Sequence, residues 1–169
     1  MPVLDSPVPR QPPHRQSGGR EQTLGRDLLR YWGTVVAWML VITTLSSDAF
    51  SAANTNRYID PIIRFLFPSI SISGMLLIHT VIRKAAHFTE FFILGLLAYW
   101  ASRRGRMPQW RWRWVVQALV VAGGYALLDE FRQGFVPSRT PSLADSGIDF
   151  LGALVSQFAL YQRRRWLIG

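Results

Sequence analysis

The chain has 169 residues, 49% of them hydrophobic and 13% aromatic, with 17% charged, no cysteine and a formal net charge of +9. The apolar content excludes a disordered or collagen-like chain, the missing cysteines exclude a disulfide scaffold, and the length suits one domain. A basic, aromatic-rich chain either binds nucleic acid or lies in a membrane, and the placing of the arginines decides between them.

Residues 1–27 hold five prolines (Pro2, Pro7, Pro9, Pro12, Pro13), the Ser17-Gly18-Gly19 break and four arginines, which predicts a disordered leader. Residues 28–45 turn apolar, with Arg30 the only charge. Eighteen residues reach the short end of the roughly 17–25 that cross a bilayer, so this is a first span. Small residues Ser51-Ala52-Ala53 follow it as a cleavage site would. The basic leader is too long for a signal-peptide n-region, and an uncleaved anchor is expected. Within residues 58–82, Pro61 and Pro68 bracket a run too short to span, predicting an interfacial or re-entrant helix. From Gly74 onward the chain is expected to continue into a second span over 85–102. Third and fourth spans are predicted over 110–128 and 143–160. Residues 91–100 and 115–128 lack the polar face a soluble surface helix needs. The expected fold is an all-α integral membrane bundle of about four transmembrane helices plus one outer helix.

With a cytoplasmic N-terminus, 13 of the 19 basic residues fall inside: Arg10, Arg15, Arg20, Arg26, Arg30, Arg103, Arg104, Arg106, Arg111, Arg113, Arg163, Arg164 and Arg165. That is the positive-inside pattern, and Tyr31, Trp32, Tyr99, Trp100, Trp110, Trp112, Trp114, Tyr161 and Trp166 supply an aromatic belt at the span ends. The expected location is the plasma (inner) membrane, multi-pass, both termini cytoplasmic, with residues 28–162 as transmembrane domain and 163–169 as a basic tail. Membrane lipids are the expected partners, with the arginine clusters touching anionic headgroups. Nucleic acid is not expected as a partner.

The unusual polar residues fall at one membrane level. His79, Arg83, His87 and Glu90 share a helical face at 100° per residue, and Lys84 points elsewhere. Asp129, Arg132 and Gln133 share another face without Glu130, and Asp145 and Asp149 form an i,i+4 pair. Arg139 lies in the proline-bracketed loop between them. Glu90 sits roughly 9 Å past Lys84 along the helix. A carboxylate at that depth costs a few kcal/mol unless paired or hydrated, so it is expected to face inward toward Arg83, His87 or Arg139.

These groups permit three chemistries. Arg83 and Arg139 suit a phosphate or carboxylate. His87 with Glu90, or Asp129 with Glu130, suits general acid–base work, with Asp145 as a further partner. The carboxylates suit a hard divalent cation, but no recognised metal-ligand spacing is present, and neither metal nor cofactor is expected. The catalytic candidates are His87, Glu90, Asp129, Glu130 and Asp145; the ligand-binding candidates are Arg83, Lys84, His87, Glu90, Asp129, Gln133, Arg139, Asp145 and Asp149. Simpler roles compete: Asp145 and Asp149 as helix-end caps, Glu90 as interhelical glue, His79 as an interfacial histidine. Gly95, Gly123, Gly124 and Gly152 read as close helix-packing points.

At these residues the sequence resembles the VanZ-like family of small bacterial membrane proteins. Arg83-Lys84-Ala85-Ala86-His87-Phe88-Thr89-Glu90-Phe91 with Leu94-Gly95 is similar to one family signature, and Asp129-Glu130 through Gln133, Phe135, Pro137 and Arg139 to another. Asp145, Asp149 and Gly152 resemble its closing pattern, where the place of Asp149 often carries Asn. The resemblance covers about residues 31–160 and leaves out the proline-rich leader. It implies a helical integral membrane protein with a cell-envelope role, accessory to glycopeptide resistance, and supplies no reaction. Three functions stay open: binding an anionic envelope amphiphile such as a polyprenyl phosphate or wall precursor, an enzyme acting on it, or a structural partner subunit.

Overall fold

The computed structural model describes residues 17–47, 52–103, 110–135 and 142–168. They form five helices: α1 Ser17–Leu45, α2 Ala52–Leu66, α3 Ile72–Arg103, α4 Trp112–Gln133 and α5 Leu143–Ile168. No strand occurs among the described residues. The leader up to residue 16, Arg104, Arg106 and the loop carrying Arg139 lie outside them.

α1 begins at Ser17, well before the apolar stretch, so residues 17–27 are helical where a disordered leader was expected. Once the apolar turns are held by packing, each added residue gains a hydrogen bond without a new nucleation cost, and the helix propagates back through this segment. α2 also departs from expectation, starting at Ala52 and carrying Pro61 inside it rather than at its edge. Proline removes the donor to the residue four back and crowds that residue's carbonyl, and a helix held by one apolar face survives that cost. Ile63 is buried while Tyr58, Ile62 and Phe65 point outward.

After a turn closed by Phe67 N–H on the Ile63 carbonyl, 2.8 Å, Ser71 accepts from Gly74 N–H at 3.1 Å and caps α3. α3 then runs unbroken for 32 residues, roughly 48 Å, joining the segment after Gly74 to the second span as predicted. It is the central helix, packed against α1, α2, α4 and α5, while α4 also packs on α5. Small residues set these crossings: Ala98, Ala118, Ala122, Ala126 and Ala153 are buried. A methyl added at Gly95 would meet Ser156 and the Ala153 backbone, and one at Gly152 would meet the Phe88 carbonyl. Gly123 lies under the Phe150 ring, 3.1 Å from a Cβ placed there. Gly124 is the exception, since nothing lies within 4 Å of its added methyl; it is not a packing point.

Large apolar side chains cover the outside: Leu40 on α1, Val120 and Leu127 on α4, Leu151 and Phe158 on α5 are exposed. Leu28–Leu45, Trp112–Gln133 and Leu143–Arg164 are long and apolar enough to cross a membrane. α3 concentrates its charges before residue 91, and its remaining turns are uncharged up to Arg103. This is a multi-pass membrane protein: its core is small and its exposed faces suit hydrocarbon. Aromatic rings mark one end, where Trp110 meets Tyr161 at 5.5 Å and Tyr99 meets Trp114 at 6.3 Å, with Arg164 over Trp110. The polar groups gather at the other.

Candidate functional site

At that end the C-terminal turns of α1 and α4, the first half of α3 and the start of α5 converge. The antiparallel course of successive helices makes this possible, because α3 and α5 begin where α1 and α4 finish. Two polar networks result.

The first centres on Asp129, which is fully buried. Its Oδ2 accepts from Ser46 Oγ, just past the end of α1, at 2.9 Å and from Gln133 Nε2 at 2.8 Å, and its Oδ1 accepts from Arg132 at 2.8 Å. The Arg132 guanidinium also donates to the Thr43 carbonyl, 3.2 Å. One turn deeper, Tyr125 donates to the Met39 carbonyl at 2.5 Å and touches the Thr43 hydroxyl. Trp38 Nε1 donates to the backbone carbonyl of Glu90 at 2.9 Å. This network ties α1 to α3 and α4, and it satisfies a carboxylate that would otherwise be costly at this depth.

The second network joins α3 to α5. Asp145 accepts from Lys84 Nζ at 3.0 Å and from Arg83 at 3.3 Å. Lys84 therefore belongs to the cluster, although its Cα direction had placed it off the shared face. A long flexible stem lets the ammonium reach around the helix. One turn deeper, His87 Nδ1 lies 3.3 Å from Asp149 Oδ1, both side chains buried, at ion-pair distance without an aligned hydrogen bond. Glu130 turns away from Asp129, as its helical angle required, and its carboxylate accepts the Ser142 N–H at the start of α5. It holds the first turn of that helix, where free N–H groups favour an anion. His79 pairs with Asp60 of α2 at 2.7 Å.

Two clefts flank this second network. A smaller one, about 150 Å³, is lined by Thr80, Arg83, Lys84, His87, Asp145 and Ile148. A larger one, about 350 Å³, opens between the end of α1, α2 and α3, with walls from Leu45, Ile59, Leu76, Ile82 and Ala86 and polar groups from His79, Arg83, His87 and Glu90. Thr80, Arg83 and His87 border both.

Of the residues singled out in the sequence, Arg83, Lys84, His87, Glu90, Asp145 and Asp149 come together around the clefts. Asp129 and Gln133 sit in the α1–α4 network and line neither cleft, Glu130 serves the start of α5, and Arg139 lies outside the described residues. Sequence reasoning passed over Ser46, Thr43, Tyr125 and Asp60. Ser46 and Thr43 carried one weak signal, a hydroxyl-rich run closing an apolar span. Among the described residues no group of three or more His, Asp or Glu side chains is placed to hold a metal ion.

No curated protein and no solved structure matches the chain. The VanZ/LLP1 family model matches residues 31–163, which takes in both polar networks and the spanning segments that carry them. The bundle and its intramembrane charges are thus the body of the family domain, and the chain belongs to the VanZ/LLP1 family.

Proposed function

We propose that this protein binds an anionic amphiphile of the cell envelope, with the headgroup at Arg83 and Lys84 in the smaller cleft and the chain in the larger one. The observation that carries this reading is that the two clefts meet at Thr80, Arg83 and His87, one lined by charge and the other adding the apolar side chains Leu45, Ile59, Leu76 and Ile82 to a polar border. An amphiphile needs that division.

The charge balance supports it. Asp129, Asp149 and Glu130 are buried and each faces a group of its own, whereas Arg83 and Lys84 share a single carboxylate. Their side chains remain 38% and 43% exposed, so in the lining of the smaller cleft two cations stand against one acid, while Glu90 borders the larger cleft with Arg83. A phosphate oxygen is a natural third partner for such a pair.

Both termini are placed in the cytoplasm and the site at the outer leaflet of the plasma membrane, on the strength of the arginine distribution along the chain. An accessory part in glycopeptide resistance rests on family association.

The test is titration of the protein in phosphatidylcholine nanodiscs with polyprenyl phosphate, and separately with phosphatidylglycerol. The double variant Arg83→Ala/Lys84→Ala is expected to lose at least about tenfold in affinity, or 1.4 kcal/mol. Unchanged affinity in a folded double variant would overturn the reading. Equal affinity for both lipids would reduce it to general recognition of anionic headgroups.

A further inference from the structure

We infer that the site is also catalytic, with His87 as general base for the hydrolysis of a long-chain alkyl or isoprenoid diphosphate. This rests on the binding reading above and adds a reaction to it.

The geometry starts from the two buried partners. Asp149 stands 3.3 Å from Nδ1 of His87 and is almost wholly enclosed, so it faces one edge of the ring. The other ring nitrogen, Nε2, lies on the edge turned away from Asp149. His87 borders both clefts, and in the smaller one it stands beside Arg83 and Lys84. A carboxylate behind an imidazole fixes its tautomer and stabilises the imidazolium that forms when it takes a proton. The contact is looser than an aligned hydrogen bond, a state common in catalytic pairs without substrate. Base and cations for developing charge therefore line one cleft, with the orienting acid buried behind the base, in the roles a hydrolytic site requires.

The nucleophile follows from what lines that cleft. Among the described residues its one hydroxyl, Thr80, already donates to the Leu76 carbonyl at 2.9 Å. Water is then the attacking group. The leaving group selects the substrate class. An alkoxide leaving from a simple phosphate ester would need a proton from a general acid, but here His87 serves as the base and Lys84 and Asp145 are paired with each other. An alkyl phosphate leaving from a diphosphate carries its own charge, which Arg83 and Lys84 are placed to neutralise.

In the step, the water oxygen bonds to the terminal phosphorus and the bridging P–O bond breaks, its electron pair departing with the alkyl phosphate. One water proton passes to His87 Nε2 and on to solvent; the other stays on the inorganic phosphate. No electron is transferred to or from the protein. His87 is the catalytic residue and Asp149 a positioning residue.

The experiment uses the full chain in nanodiscs containing polyprenyl diphosphate and magnesium, reading lipid binding and release of inorganic phosphate separately. The wild type is expected to bind and release phosphate. His87→Gln and His87→Asn should lower kcat by about 10²–10⁴-fold with binding retained. Asp149→Asn should lower kcat while leaving KM within about twofold, a split that a purely structural role would not produce. Binding without phosphate release by the wild type overturns the catalytic inference and leaves the binding reading standing. Wild-type turnover in either His87 variant overturns it too. Absence of binding overturns both.

Discussion

Ser46, the residue after the last turn of α1, donates a 2.9 Å hydrogen bond to Asp129 Oδ2 near the end of α4, joining residues 83 positions apart in the chain. Gln133 takes the same oxygen and Arg132 the other. The carboxylate is thus the centre of a joint between the end of α1 and α4.

Removing it should show as stability. Asp129→Ala leaves the Arg132 guanidinium, the Ser46 hydroxyl and the Gln133 amide facing a void, and is expected to cost about 3–5 kcal/mol. Asp129→Asn keeps one acceptor and should cost about half as much. Thermal unfolding in detergent reads both; a fully stable Asp129→Ala would remove the joint from the account.

Gly152 and Gly124 should respond oppositely to the same methyl. At Gly152 the new carbon meets the Phe88 carbonyl and comes within 3.1 Å of Phe92 N, backbone atoms that yield only if α3 and α5 separate. Gly152→Ala is expected to destabilise by about 1–3 kcal/mol, as overpacking does. At Gly124 nothing lies within 4 Å, and Gly124→Ala should stabilise by up to about 1 kcal/mol through helix propensity. Unfolding midpoints of the pair decide the matter.

Asp145 competes with any anion for Arg83 and Lys84. Asp145→Asn is therefore expected to raise the affinity for an anionic amphiphile several-fold, with a gain that shrinks at high salt because the cations are partly exposed. Titration at two ionic strengths measures this. A weaker Asp145→Asn protein would mean that the carboxylate is needed to position the cations.

α2 packs on α3 and supplies Thr55, Asn56 and Ile59 to the larger cleft, with Asp60 paired to His79. Breaking a partly exposed pair of this kind costs up to about 1 kcal/mol. Asp60→Asn should leave the global unfolding midpoint nearly unchanged while hydrogen exchange speeds up in residues 52–66 and not in α4. Uniform acceleration would contradict a local role for the pair.

Much of the fold was legible before any coordinates. Apolar stretches of spanning length set the helices, and the i,i+3 and i,i+4 spacing placed Arg83 with His87 and Asp145 with Asp149 on common faces. Less legible were elements whose pattern is weak. α1 reaches back to Ser17 through residues without an apolar period, and Pro61 sits inside α2 rather than ending it. Lys84 shows the limit of angular reasoning: its Cα points off the face, and its Nζ still arrives 3.0 Å from Asp145.

What the sequence determined by itself is an address and a level. The excess of arginine and the run of apolar helices make a membrane protein, and the depth of each charge follows from its position along its helix, a property local to that helix. Which charge meets which was decided only by the tertiary structure. Ser46 with Asp129, Glu130 with the Ser142 N–H and His87 with Asp149 depend on how far each helix is rotated and how closely it approaches its neighbour. The small residues at Gly95, Gly152 and Ala153 set that distance across α3 and α5. Pairings between helices come from packing of side-chain volumes across interfaces, which no single helix encodes alone.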